Sequence, residues 1–432
     1  MAPPPAPFRL VEAIRQALAG RPLLLGAEER LSAARARVDQ ARAGLLPRVE
    51  IQGSVTDGPL GAPPLFLGGL AGTPIKKQVG ASLNFTQTLL DFGRTHNQVR
   101  ARRADVTAGA EGLAMEQARV VLEVRTTYLA VLQAQQLRSV NRDLLEQRRL
   151  VARQAETFRA NGLGTRLDVD LAELNVSQAE LALVRAGGDV GSAYAALSAA
   201  VGRDVAVETA LEDPPPGEVA GAMNVSAEPA PAVPPPTPEA LLSEAGRHRP
   251  ELRQALAQVR AAEHLVSAAK AGNRPFVVGV GSVGRINPSP VAPSDKPWAV
   301  GLGITIPVFT GRLVESQVVE GQRNLAALRQ QVHEWENQIR RQVISALANL
   351  TAADEGVRVA LRQLVRAEDA LKLGTERYRA QLGSIVELSQ TQVAFAVARY
   401  DLVRARYERE QARAALDFAV GRLPAGAEER VP

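Results

Sequence analysis

The chain has 432 residues, longer than one ordinary compact domain, and 46% of them are hydrophobic, which excludes wholesale disorder. Cysteine is absent, which removes disulfides, thiolate metal sites, thiol nucleophiles and a lipidated N-terminal cysteine. The 51 basic and 46 acidic side chains are interspersed and leave +5 without a concentrated basic patch, so no nucleic-acid partner is expected.

The start, Met1-Ala2-Pro3-Pro4-Pro5, has no basic leader and no apolar core, and no signal peptide is read there. The expectation is either a cytosolic chain or one from which an export signal has been removed. After a first short helix come two segments of period two, expected as strands over about 47–57 and 76–88. Val49, Ile51, Gly53 and Val55 alternate with Glu50, Gln52, Ser54 and Thr56, and Val79, Ala81, Leu83 and Phe85 alternate with Gly80, Ser82, Asn84 and Thr86. Gly58 to Ile75 between them is uncharged but holds five Gly and four Pro, a loop rather than a membrane helix.

No proline occurs from Ile75 to Asp213, and a helical hairpin is expected over 94–202. Its first arm, Thr95 to Ala160, has 66 residues and would run about 100 Å, which demands an elongated assembly. Leu137, Leu144, Val151 and Phe158 fall seven apart, and Leu167, Leu174 and Leu181 form a second seam. Such heptads predict helices packed side by side. At the turn, Gly164 ends one helix and Thr165 caps the next, with Asp168 as capping-box partner. Asp213 to Pro238 then holds nine Pro in 26 residues, an extended linker.

The remainder repeats the first part. Arg21-Pro22 and Arg249-Pro250 lie 228 residues apart, and at that offset Ala41-Arg42-Ala43-Gly44 matches Ala269-Lys270-Ala271-Gly272 and Gly53-Ser54-Val55 matches Gly281-Ser282-Val283. Later, Phe158-Arg159-Ala160 pairs with Tyr378-Arg379-Ala380, and Ala200-Val201-Gly202-Arg203 with Ala419-Val420-Gly421-Arg422. The chain therefore reads as one copy over 1–212, a linker over 213–238 and a second copy over 239–432. In the second copy strands are expected over about 275–286 and 297–308 and a hairpin over 312–421. Phe276, Val278 and Val280 begin one strand; Trp298, Val300, Leu302, Ile304 and Ile306 alternate with small residues in the other. The seams recur as Val357, Leu364, Leu371, Tyr378 and as Val386, Val393, Tyr400, and the turn as Gly383-Ser384 with Glu387 three residues on.

Charge sets these strands apart. Gln78 to Leu90, Pro275 to Gly284 and Pro297 to Gly311 contain no charged residue in a chain that averages 22%. Apolar alternating with small or polar, over roughly the 9–11 residues a tilted strand needs, predicts membrane-crossing β-strands with long external loops at Asp57 to Lys76 and Arg285 to Pro297. The competing reading is a pair of hairpins packed on soluble helices. Four strands cannot close a barrel, and an open edge in lipid is forbidden, so spanning strands require an oligomer.

In their order and duplication these residues resemble the TolC family of outer-membrane efflux proteins. Phe8-Arg9-Leu10-Val11-Glu12-Ala13-Ile14-Arg15-Gln16-Ala17-Leu18 is similar to the family's first helix, and Ala43-Gly44-Leu45-Leu46-Pro47 to its helix-to-strand hinge. Gln87-Thr88-Leu89-Leu90-Asp91-Phe92-Gly93-Arg94 looks like the family's Gln-Pro-Leu-Phe-Asp-x-Gly-Arg, with Thr88 in place of the proline. Its partner Ile306-Pro307-Val308-Phe309-Thr310-Gly311-Arg312 lacks one residue and the Asp. The resemblance implies a mainly helical fold with membrane strands: a homotrimer with a 12-stranded barrel in the outer membrane and a helical tube in the periplasm. It would be a passive exit duct for efflux or type I secretion, working with a periplasmic adaptor and an inner-membrane transporter. The tips, Gly162, Gly164, Thr165, Gly383 and Ser384, would dock the adaptor. Glu387 and Gln390 occupy places where relatives carry Asp residues that constrict the entrance, with Asp168 at the matching place of the first hairpin. Trp298, Val300, Leu302, Ile304 and Ile306 would face lipid.

Enzyme chemistry finds no footing. Gly279-Val280-Gly281-Ser282-Val283-Gly284 spells a dinucleotide fingerprint, but Arg285-Ile286-Asn287-Pro288 cannot open the helix the mechanism needs. His96, His248, His264 and His333 are scattered without ligand spacing, no Ser nucleophile elbow is present, and the carboxylates sit among Arg as solvated faces do. No enzyme, cofactor or metal is expected. The alternative to a duct is a soluble coiled-coil scaffold whose hairpins bind a partner.

Overall fold

The structure, a computed structural model, describes residues 7–57, 77–207, 209–212, 237–287, 296 and 298–422. The loop read over Gly58 to Ile75, the linker as far as residue 236, and most of the second external loop lie outside the described residues.

Proline splits each expected short helix in two. Helix α1 spans Leu10–Gly20 and α2 Pro22–Ala43; in the second copy α5 spans Pro238–His248 and α6 Pro250–Lys270. The residue before each internal proline, Arg21 (φ −74°, ψ 122°) or Arg249 (φ −68°, ψ 120°), is extended, as Pro Cδ requires. Each proline then opens the next helix at a position where no N–H is needed. Pro238, read as the end of the linker, instead begins α5, capped by the Thr237 hydroxyl.

Strands β1 (Arg48–Asp57), β2 (Lys77–Leu90), β3 (Phe276–Asn287) and β4 (Trp298–Thr305) form one antiparallel sheet in the order β1-β2-β3-β4. Strand β4 stops three residues short of the expected 308, because Pro307 has no N–H to give. Strand β3 runs on through Arg285 to Asn287, beyond the expected start of the loop. Long helices follow each strand pair: α3 (Arg94–Ala160) with α4 (Arg166–Val201), and α7 (Leu313–Arg379) with α8 (Ile385–Val420). Helix α3 is continuous through Gly109 and Gly112. Gly109 lies against Leu31, and a Cβ at Gly112 would come 3.2 Å from the Gln254 side chain, so both serve close packing.

The chain divides into two compact units. One comprises residues 28–112 and 251–335: the sheet, α6, most of α2 and the starts of α3 and α7. Glu111 on α3 pairs with Arg253 on α6 at 2.8 Å, and Gly321 on α7 admits Val266 of α6. The other comprises residues up to 27, 113–250 and from 336 onward. Its main core gathers Ile14 and Leu24 with Val124, Tyr128, Val131, Tyr194, Leu197 and Val201. The guanidinium of Arg249, 2% exposed, donates to the Phe418 carbonyl at 3.0 Å and to Gln342 Oε1 at 2.7 Å; the matching Arg21 makes a two-pronged pair with Glu123.

The segment before α1 is stitched to the segment after α4. Phe8 bridges Leu211, Arg9 pairs with Glu212, and the Tyr128 hydroxyl lies 2.7 Å from the carbonyls of both Phe8 and Glu212. Tyr194 does the same for Thr209, donating to its carbonyl at 2.6 Å while accepting from Gln135 Nε2. The expected outcome of Tyr128→Phe is a loss of about 1–3 kcal/mol, because buried carbonyls lose their donor while packing is kept. Thermal unfolding of the detergent-purified protein measures it.

Candidate functional site

The first heptad seam is packed as read: Val151 and Tyr378 are buried, and Leu144, Phe158, Leu364 and Leu371 half-buried. The Phe158 and Tyr378 rings meet at 5.6 Å, so the two hairpin tips of the chain share a core with Val169, Ile385 and Leu388. Burial, reinforced by the nearby Asp168 charge, raises the Tyr378 pKa. The second seam differs from expectation. Leu167, Leu174 and Leu181 are 64, 53 and 51% exposed, and Val386 and Val393 50% each. Within one chain these apolar positions stay half exposed or more, since a heptad marks an apolar face without saying which chain covers it. Tyr400, the last of the seam, is half-buried and donates to Asn141 Oδ1.

The tips share one backbone and differ in chemistry. In the first, Leu163 N–H donates to Phe158 O and Gly162 N–H to Arg159 O; in the second, Leu382 donates to Arg377 O and Gln381 to Tyr378 O. This is a Schellman closure, with Gly162 at φ 74° and Gln381 at φ 59°. Gly164 and Gly383 follow because a Cβ would come within 3.2 Å of Phe158 Cβ in one case and Arg377 Cβ in the other.

Thr165 and Asp168 form the full capping box expected: the Asp168 N–H donates to Thr165 Oγ1 at 3.2 Å, and Thr165 N–H to Asp168 Oδ2 at 2.9 Å. Only half of it exists in the second copy. Glu387 N–H donates to Ser384 Oγ at 3.2 Å, but the Glu387 carboxylate accepts from Arg377 Nε at 2.9 Å. Arg377 also donates to the Leu382 carbonyl at 3.1 Å, fixing the turn. The reading of Glu387 as a reciprocal cap is corrected: its longer side chain reaches across the turn to a cation ten residues back. Gln390 is exposed on the returning helix. Sequence reading missed Arg377. It also missed Arg148, 5% exposed on α3, whose Nη1 donates to Ser389 Oγ at 3.0 Å; burial lowers its pKa.

The sheet has one apolar face. The register places Trp298, Val300, Leu302 and Ile304 beside Val283, Gly281, Gly279 and Val277, then Leu83 and Phe85, then Ile51 and Val49. Trp298, Val300, Leu302 and Ile304 are 66 to 81% exposed, and Ile306, just past the strand, 61%. Phe276, Val278 and Val280, read as continuing the apolar alternation, lie on the other face with Ser282, Asn84 and Gln52. No described helix is long and apolar enough to cross a membrane.

The strand-to-helix hinges explain the residue missing from the second motif. Phe92 (φ 51°) and Gly93 (φ 84°) turn the first hinge; Gly311 (φ 62°) and Arg312 (φ 66°) turn the second. Arg94 N–H donates to Asp91 O, and Leu313 N–H to Thr310 O. Thr310 therefore occupies the place of Asp91, and the Gly-Arg letters sit one position apart in identical turns. Asp91 Oδ2 accepts from the Thr95 N–H at 2.7 Å and Oδ1 from Gly93 at 3.0 Å. Burial opposes its charge, but the hydrogen bonds from Thr95, Gly93 and Arg94 outweigh it and lower the pKa.

Among the described residues no cluster of three or more His, Asp or Glu is arranged to hold a metal ion. What the geometry defines is a channel polypeptide: membrane strands on long helical hairpins. The model of the outer membrane efflux protein family matches residues 13–203 and 241–422, and the chain belongs to that family. It is 26% identical over 360 residues to the outer membrane efflux protein BepC of Brucella suis, covering 80% of this chain and 72% of that one. It is 28% identical over 409 residues to protein CyaE of Bordetella pertussis, covering 92% and 81%. The crystal structure of the outer membrane protein VceC of Vibrio cholerae superposes with a TM-score of 0.78 at 20% identity, covering 95% of this chain and 96% of that one. The protein is an outer-membrane exit duct of the efflux and secretion type, with its helical part in the periplasm.

Two expected outcomes follow from the turns. Gln381→Gly relieves a left-handed non-glycine residue and stabilises the protein by about 1 kcal/mol, read as a raised unfolding midpoint. Asp91 contributes stability that is present above its unfolded pKa and lost as pH falls through its lowered folded value. Asp91→Asn should cost about 0.5–2 kcal/mol at neutral pH as a lost cap and flatten the acid limb of the stability–pH curve.

Proposed function

We propose that three copies of this chain close their sheets into a 12-stranded barrel and their hairpins into a periplasmic tube. The observation that carries this is the open four-stranded sheet with an apolar exposed face: β1 and β4 each keep one unpaired edge, which hydrocarbon does not tolerate. The exposed second seam supports the same reading, because Leu167, Leu174, Leu181, Val386 and Val393 supply apolar surface for a neighbouring copy to cover. A soluble scaffold would leave both surfaces in water. Native mass measurement in detergent should give a trimer, and a dimer or tetramer overturns the reading.

In this assembly Trp298, Val300, Leu302, Ile304 and Ile306 face lipid, and the opposite face lines the lumen. A charge at Leu302 should cost roughly 2–4 kcal/mol near the bilayer midplane, measured as a drop in heat stability of the trimer.

The tips meet a periplasmic adaptor joined to an inner-membrane transporter. Gly162, Gly164, Thr165, Gly383 and Ser384 shape the surface it meets, and the exposed Leu163 and Leu382 give it apolar contact. Glu387 and Gln390 stand at the entrance, while Asp168 acts as a cap. A ring of Glu387 would favour cations, but each carboxylate is paired with Arg377 of its own hairpin, so the ring is weakly acidic. Single-channel recording in planar bilayers tests this. Arg377→Gln should raise cation preference, Glu387→Gln should lower it, and Ser384→Ala should change stability alone. Equal behaviour of all three would make Glu387 purely structural.

A further inference from the structure

The face of the sheet opposite the apolar one is not uniform. Across β1 and β2 it is polar, with Glu50, Gln52, Asn84 and Thr86; across β3 and β4 it carries Val278 beside Gly303 and Val280 beside Gly301, with Ser282 beside Ala299. The interior of a water-filled barrel is ordinarily polar, so two valines there are a departure. The glycines leave the valine flanks bare. A Cβ at Gly303 would come 3.1 Å from Val278 Cγ2, and one at Gly301 3.8 Å from Val280 Cγ2. Val280 is 42% exposed.

Where the two halves meet, the wall has an open depression of about 400 Å³, bounded by Gln52, Asn84, Thr86, Val280, Ser282 and Gly301, with no charged side chain in its lining. That volume suits an organic molecule of a few hundred daltons. Its polar edge is set: Ser282 Oγ donates to Asn84 Oδ1 at 2.9 Å, and Asn84 Nδ2 donates to Gln52 Oε1 at 3.2 Å. These bonds occupy amide acceptors and leave the Gln52 amide N–H groups as donors toward a ligand. One row along, directly opposite Gln52, the buried Ser82 hydroxyl has no partner among the described residues.

We propose that this depression is a low-affinity site on the duct wall for uncharged amphiphilic organic molecules. An acceptor edge, such as a carbonyl or sulfonyl, meets the Gln52 and Asn84 amides, and an apolar face lies on Val280 and Gly301. The inference rests on the reading of this face as the lumen and names the class of cargo that the wall favours. Among the described residues the lining holds no carboxylate, and Glu50, opposite Asn84, is paired with Arg48. An ordinary hydrophilic solute gains nothing from the valine side. Weak binding is the useful kind, since cargo must also leave.

The chain's lack of cysteine makes the test direct. Thr86→Cys, on the depression, and Leu302→Cys, on the apolar face and outside the depression's lining, each carry a trifluoromethyl label in the trimer in lipid nanodiscs. Dansylamide is titrated, with raffinose as the hydrophilic control. The expected result is a saturable fluorine shift at position 86 and a linear, partition-type shift at position 302. Gly301→Val, which fills the depression, and Gln52→Leu, a surface change that spares the fold, should each weaken the saturable shift by about tenfold. A linear response at both labels, an equal response to raffinose, or saturation unaltered by Gln52→Leu overturns the site. Relaxation agents separate this from failure of the luminal reading. A position-86 label broadened by lipid-borne nitroxide, rather than by a water-soluble gadolinium chelate, removes the lumen itself. A water-facing label without saturation removes only the site.

Discussion

The backbone hydrogen bond governs this molecule. A strand in hydrocarbon must have both edges paired, and the sheet of this chain pairs β1 to β2, β2 to β3 and β3 to β4 while leaving the outer edges of β1 and β4 unmet. The charge-poor strands, the apolar face and the duplication follow from that demand. One copy of the repeated unit provides two strands, and two copies provide four, still too few to close. In the proposed assembly closure comes from other chains, and the same chains then cover the apolar heptads that stay exposed on α4 and α8.

Duplication shows which parts of the unit are fixed by backbone geometry and which by side chains. The two hinges place two successive residues at positive φ, once as Phe92-Gly93 and once as Gly311-Arg312. The turn tolerates a glycine at either position, so the letters slid by one residue while the geometry stayed. Both tips close with the same pair of hydrogen bonds although one uses glycine and the other glutamine in the left-handed position.

Much of this was legible in the sequence. Period-two alternation located four strands, three of them in segments without charge, and proline-free stretches located the long helices. The rest depended on relations that the letters do not carry. Alternation along β3 could not say which of two apolar sets, Val277 and Val283 or Val278 and Val280, shares a face with Trp298; only pairing register decides that. Heptads marked Leu174 and Val393 as apolar without revealing that the chain itself leaves about half of each exposed. The Ser384/Glu387 spacing matched a capping box, yet the carboxylate found Arg377, a partner made available by the close approach that Gly383 allows.

The two tips consequently hold their carboxylates in different ways. Asp168 spends its charge on the Thr165 N–H and hydroxyl, a local closure that needs nothing outside the turn. Glu387 places its charge on a guanidinium that also grips the Leu382 carbonyl, so the second tip adds an exposed ion pair and a strained residue to its Ser384 half-cap, where the first has a full capping box and a glycine. An exposed pair is screened by salt and worth little to stability, whereas a capping box is local and persistent. The second tip is therefore the one whose conformation an approaching partner can change at the smaller cost, and the first is the one that gives the hairpin pair a fixed end.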